Sequence, residues 1–143
     1  MNKGVSFEIS HSPVAKGRPR FTRAGRAYTP KKTKDYEEFV RAYLASQIRS
    51  KDFPLNKGYR VALNLTFYLP IPKSFSKKKR QAAIDEEIMP VTRPDVDNYI
   101  KVIVDGMNGI IFEDDSQVVC IHAHKRYSDA PRTDVLLEWK PNA

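Results

Sequence analysis

Asp95-Val96-Asp97-Asn98-Tyr99-Ile100-Lys101-Val102-Ile103-Val104-Asp105-Gly106-Met107-Asn108-Gly109 is the stretch that decides the fold class. Val96, Ile100, Ile103, Val104 and Met107 recur three and four apart, so they predict the apolar face of a helix. That helix begins near Asp95 or Asp97 and stops at Asn108-Gly109. On both sides the period changes. Upstream, Val61, Leu63, Leu65, Phe67 and Leu69 alternate through a long strand that Pro70 and Pro72 end. Downstream, residues 117–126 and 135–139 predict two further strands, and Val5, Phe7 and Ile9 predict one near the start. A second helix opens with Thr29 as cap and Pro30 as first helical residue, then keeps Tyr36, Phe39, Val40, Tyr43, Leu44 and Ile48 at helical spacing. A third, exposed helix covers roughly residues 76–87; its lysines come early and its acids late, the reverse of what the helix dipole favours. The expected fold is mixed α/β (α+β), a small mixed sheet with packed helices, as one domain over residues 1–143.

Composition narrows the function classes. Apolar residues make up 41% of the 143, so disorder is not the default. No apolar run approaches the ~20 residues of a membrane span, and the first residues lack a signal-peptide pattern. Cys120 is the only cysteine, which rules out an intramolecular disulfide or a cysteine zinc cluster and suits a reducing, intracellular setting.

The net charge is +8, and residues 1–34 carry all of it: nine basic residues against Glu8. Lys16, Arg18, Arg20, Arg23, Arg26, Lys31 and Lys32 are the candidate DNA contacts, because a phosphate backbone selects such a segment. Two short extended runs around Ala24-Gly25 predict a basic hairpin. The same charges would also serve as a solubilising face. The segment lacks the apolar stripe that a membrane surface would need.

Against this basic background the acids Asp95, Asp97, Asp114 and Asp115 stand out. Asp95 and Asp97 straddle Val96 at a helix start, where residues two apart point the same way in an extended segment. Carboxylates suit a hard cation such as magnesium. Such a cation offsets phosphate charge and lowers the pKa of a bound water, which is what phosphodiester hydrolysis needs. Lys101, four residues after Asp97, shares its helix face and could orient water or stabilise transition-state charge. The plainer alternatives are an Asp N-cap, an exposed Asp97–Lys101 pair and an acidic turn at Asp114-Asp115.

Asp95-Val96-Asp97-Asn98-Tyr99-Ile100-Lys101, followed by Asp114-Asp115-Ser116-Gln117-Val118, resembles the RusA family of Holliday-junction resolvases. Lys16-Gly17-Arg18-Pro19-Arg20 and Lys125-Arg126-Tyr127 resemble segments of its Gram-positive and phage members. The resemblance covers nearly the whole chain. It implies a homodimeric, magnesium-dependent endodeoxyribonuclease, with manganese a possible substitute, that resolves four-way junctions by paired nicks in recombination and repair. It implies no small-molecule cofactor, and it implies a cytoplasmic setting in a bacterial or phage-infected cell. By position it puts catalytic and metal-binding roles on Asp95, Asp97 and Asp115, with Asp114 a secondary metal ligand and Lys101 the essential lysine. The rival reading is a non-catalytic basic DNA- or RNA-binding module, which gains nothing from carboxylates facing phosphate.

Other chemistry-bearing residues read as structural. His122 and His124 share a strand face but lack a third ligand. Cys120 reads as a small packing residue. Trp139, Phe67 and Tyr68 read as core or interface aromatics. Phe21 and Tyr28 sit among basic residues and could either stack on an unpaired base or pack the hairpin.

Overall fold

The alternation of residues 61–69 produces the longest strand of the fold, β4 in a computed structural model that describes residues 3–143. The elements run β1 (Lys3–Ile9), β2 (Arg20–Phe21), β3 (Ala27–Tyr28), α1 (Lys31–Gln47), β4 (Tyr59–Pro70), α2 (Lys77–Ile84), α3 (Val96–Met107), β5 (Val118–Ser128) and β6 (Arg132–Pro141). A 3₁₀ turn, Asp115–Gln117, leads directly into β5. The architecture is the mixed α/β one expected: a four-stranded sheet ordered β1-β6-β4-β5, plus the two-stranded hairpin β2-β3.

Register explains why one face of the sheet is dry. Phe7 pairs with Val135, Leu65 with Val135, Leu63 with Leu137 and Val61 with Trp139, and all of these side chains are buried. The period of two puts Ser6, Glu8, Asn64, Thr66, Asp134 and Leu136 on the opposite, open face. Helices α1 and α3 cover the dry face through Tyr36, Val40, Leu44, Tyr99, Val102, Ile103 and Met107. No helix among the described residues is long and apolar enough to cross a membrane.

Strands β4 and β5 pair in parallel, whereas β6 is antiparallel to both β4 and β1. A parallel pair needs a crossover that returns the chain to the strand's starting end. Helix α3 makes that return. It therefore begins near the far end of β5 and finishes near its start, which fixes where the residues before and after it can lie.

Several expectations shift. Pro30, not Thr29, is the cap of α1, because its ψ of 144° is extended and the helix starts at Lys31. Phe39 is 40% exposed, since only Thr33, Tyr36, Val40 and Leu44 of α1 face the sheet and α3. On α3 the buried arc is Tyr99, Val102, Ile103, Gly106 and Met107; Val96, Ile100 and Val104 lie at its margins. The charged helix is shorter than residues 76–87, running from Lys77 to Ile84 with Ser76 as its cap. Cys120 is exposed rather than packed, because its partner Ala62 faces the open side of the sheet.

Candidate active site

Asp95 occupies the N-cap position of α3 with extended backbone, and its carbonyl accepts from the Asn98 amide at 3.1 Å. Its carboxylate makes no capping bond, so the side chain is not consumed by the role that aspartate most often plays there. Asp97 lies in the first turn, and the helix dipole favours both acids at this positive end. Asp95, Asp97, Lys101 and Asp115 are all exposed. Among the described residues none of these four side chains enters an ion pair, so Asp97 and Lys101 do not form the ordinary surface pair.

Two ties hold the start of α3. The Lys16 amide donates to the Asn98 carbonyl at 2.8 Å. The Lys125 ammonium on β5 donates to the carbonyls of Thr92 and Pro94, each at 3.0 Å. At the other end of the helix, the Arg41 guanidinium donates to the carbonyls of Asn108 at 2.6 Å and Asp105 at 2.9 Å. Carbonyls in the last turn lack full intrahelical partners, and that of Asp105 otherwise accepts only from the Asn108 amide at 3.3 Å among the described bonds.

Asp114 has a different task from Asp115. It caps the 3₁₀ turn: its carboxylate accepts from the Ser116 hydroxyl and amide, while the Gln117 side chain accepts from the Asp114 amide at 3.1 Å. The Ser116 hydroxyl bond holds the Asp114 carboxyl below the usual carboxylate range. Gln117, buried beneath, donates its amide to the carbonyls of Leu55, Asn56 and Tyr59 at 3.2, 2.7 and 3.2 Å. The whole turn is thereby fastened to the start of β4, with Asp115 left projecting from a fixed base.

The described acids do not form a closed three-ligand cluster within the chain. Among the described residues no three His, Cys, Asp or Glu side chains stand close enough to hold one metal ion. The crossover explains this. Lys125, which holds the loop before Asp95, is seven residues into β5, about 23 Å of strand from Val118. Asp115 sits at the Val118 end. The donor set is nevertheless all carboxylate oxygen, which suits a hard divalent cation and not a soft one.

Most of the basic segment is free. Arg18, Arg20, Arg23, Arg26, Lys31 and Lys32 are exposed and enter no ion pair among the described residues. The hairpin β2-β3 turns at Gly25, whose φ of +82° is left-handed, and exposes Phe21 and Tyr28 by 68% and 46%. A groove runs from Arg18, Arg20 and Lys32 to Pro94 and Tyr99, joining this surface to the base of Asp95. Lys16 differs: its ammonium lies 2.8 Å from Glu37 and 3.0 Å from Asp105, which ties α1 to α3. Burial lowers its pKa, but the two carboxylates outweigh that and raise it above the ordinary lysine value.

Lys125 and Gln117 are the contributors that spacing alone did not single out. Both lie in the motif-bearing segments, yet only the fold shows what their donors reach. His122 and His124 are exposed on the open face of the sheet, opposite Asn64 and Thr66.

Comparison with known proteins bears on this site. The family model for endodeoxyribonuclease RusA matches residues 11–138. The chain is also 39% identical, over 138 residues, to the uncharacterized protein YqaN of Bacillus subtilis (strain 168), covering 93% of this chain and 94% of that one.

Proposed function

The chain belongs to the RusA endodeoxyribonuclease family, and on that premise we propose that it resolves four-way DNA junctions by paired, magnesium-dependent nicks, acting as a homodimer in the cytoplasm of a bacterial or phage-infected cell. The observation that carries the reading is the set Asp95, Asp97, Asp115 and Lys101: exposed, unengaged side chains. A structural role for these groups would have left them in caps or ion pairs, as it does for Asp114 and Lys16.

Asp95, Asp97 and Asp115 would hold the ion. When bound, magnesium supplies charge neutralisation at the phosphate and a water of lowered pKa. Lys101, one turn along the helix from Asp97, adds a positive charge where the phosphate gains negative charge. Arg18, Arg20, Arg23 and Arg26 contact backbone phosphates, which position the duplex arms without reading sequence.

The dimer has two supports. Two opposed nicks on one branched molecule need two sites at a fixed spacing, and a two-fold axis provides them. In one chain, moreover, no three acids gather into a metal-holding group among the described residues. A second copy that offers its Asp115 to the first copy's Asp95 and Asp97 closes a three-carboxylate site.

The deciding experiment is nicking of a synthetic four-way junction and of linear duplex at varied magnesium and manganese. Symmetric, metal-dependent cuts on the junction alone are expected. Tight junction binding without cutting would make the protein a non-catalytic binding module, and equal cutting of linear DNA would remove the junction selectivity.

A further inference from the structure

We infer that Lys125 is a positioning residue for Asp95: it fixes the turn from which that carboxylate projects, and so sets the affinity for the divalent ion. The inference rests on the metal-dependent reading above and adds a residue to it.

Lys125 lies on β5 in register with Phe67, whose side chain is buried, so its own side chain rises from the helix-bearing face of the sheet toward the start of α3. Its ammonium donates to two carbonyls, Thr92 and Pro94, at 3.0 Å each. The Pro94 carbonyl belongs to the peptide plane that leads into Asp95. Fixing that plane on one side, while the Asn98 amide holds the Asp95 carbonyl on the other, fixes the direction in which the Asp95 side chain leaves the backbone. The Thr92 carbonyl, two residues earlier, prevents the loop from pivoting about the first bond. Without these donors, residues 91–95 are exposed, and nothing else among the described hydrogen bonds holds the carbonyls of Thr92 and Pro94.

The same geometry argues against a direct chemical role. A lysine ammonium has three N–H donors and no acceptor. Two of the three are committed to backbone, on an element different from those that carry the acids. Lys101 is exposed and uncommitted, so the two lysines divide the work: one is free to meet the phosphate, the other holds the ligand-bearing turn. Residues that orient metal ligands typically change metal affinity or activity ~10–100-fold when lost.

The test compares wild-type protein with Lys125→Met, which keeps the aliphatic stem, and Lys125→Arg, which keeps two donors. Manganese affinity is measured by calorimetry, and cleavage is followed in single turnover over a magnesium titration. Lys125→Met is expected to raise both the manganese dissociation constant and the magnesium needed for half-maximal cleavage by ~10–100-fold. The rate at saturating magnesium should largely recover, and Lys125→Arg should restore most of the affinity. Amide exchange should quicken at residues 95–98 and not in β4 or β6. An unchanged metal affinity with unchanged exchange overturns the inference. A rate deficit that no magnesium concentration relieves overturns it too, by giving Lys125 a direct role. If Lys125→Met does not fold, Lys125→Gln, whose uncharged amide ends a shorter side chain and falls short of the ammonium position, carries the same comparison. A wild-type chain that binds no manganese defeats the nuclease reading itself, and the exchange data then still decide whether Lys125 holds the turn.

Discussion

Gly106 on α3 lies against Val40 on α1 with no space for a side chain between them: a β-carbon on Gly106 would stand 2.7 Å from Val40 Cγ1 and 3.1 Å from its Cβ. Val40 is fully buried and stiff at χ1, so it cannot swing aside. Alanine would favour the helix by about 1 kcal/mol over glycine, but overpacking costs about 1–3 kcal/mol. Gly106→Ala should therefore lower stability by up to about 2 kcal/mol in urea unfolding. Combining it with Val40→Ala should give less loss than the two single changes added together. A Gly106→Ala protein more stable than wild type would mean that the two helices can part freely.

Lys16 and the arginines beyond it should separate into two phenotypes. Lys16→Met leaves the part-buried Glu37 and Asp105 carboxylates without their partner, which should cost about 1–3 kcal/mol of stability. It should scarcely change the salt dependence of junction binding. Because the folded pKa of Lys16 is raised, its contribution is complete below the ordinary lysine value of about 10.4 and fades as pH rises through the folded value. Wild type and variant should thus differ at pH 7 and converge in strong alkali. Replacing Arg18, Arg20 and Arg23 together with alanine should do the opposite: stability holds, while the slope of log affinity against log salt falls by up to about 0.9 per lost phosphate contact. The slope is read from a titration in calcium.

Neighbouring acids should behave differently. Asp115→Asn and Asp97→Asn should each abolish cutting while junction binding stays intact or tightens. Asp114→Asn should keep most of the cleavage rate at saturating magnesium, because that carboxylate serves the turn. Its lowered pKa means that its stabilising role is present above the usual aspartate value of about 3.9 and is lost as pH falls through the folded one. The Asp114→Asn defect should therefore show at neutral pH and vanish in acid. Loss of cutting as complete as that of Asp115→Asn would move Asp114 into the metal site.

Lys101→Ala should slow the chemical step about 10²-fold, the scale of one lost electrostatic stabiliser. Single-turnover cleavage of saturated junctions measures it. A normal rate would make Lys101 a solvated residue on an exposed helix face.

Mixing two inactive proteins tests the shared site. If Asp115 of one copy completes the Asp95–Asp97 pair of the other, a mixed dimer of Asp97→Asn and Asp115→Asn chains has one intact site and one that lacks both groups. Exchanged mixtures should then nick one strand without resolving the junction. No activity in mixtures whose exchange is verified would place all three acids in one chain's own site.

How much of this could be read in advance depended on the kind of pattern. Strand β4 was legible because alternating residues on a sheet with one dry face admit one assignment only. Helix α3 was legible as a helix and in its polar face, Asp97, Asn98, Lys101 and Asp105, but the apolar residues span more than half of its circumference, so the period could not choose the centre of the buried arc. Gly106 gave no signal, since its role is to be small against Val40. The acids were legible as a group, but their separation was not. Chain spacing does not say whether β5 will run parallel or antiparallel to β4, and that choice alone puts Asp115 at the far end of α3. Lys16 read as one more cation of a basic run, because Glu37 and Asp105 are 21 and 89 residues away.

The position of β6 has a consequence for how the molecule is made. It lies between β1 and β4, with hydrogen bonds to both, yet it is synthesised after both of them. As the polypeptide leaves the ribosome, β1 and β4 have no partner on the side that β6 will fill. Helices α1 and α3 can form early from local contacts, whereas closing β1 onto β6 joins residues more than 120 positions apart, Ile9 with Thr133 and Lys3 with Trp139. Such long-range pairing is slow and leaves strand edges open until it is done. The sheet should therefore close only after synthesis of residues 132–141, and a nascent chain stalled before them should be sensitive to protease where the released one resists.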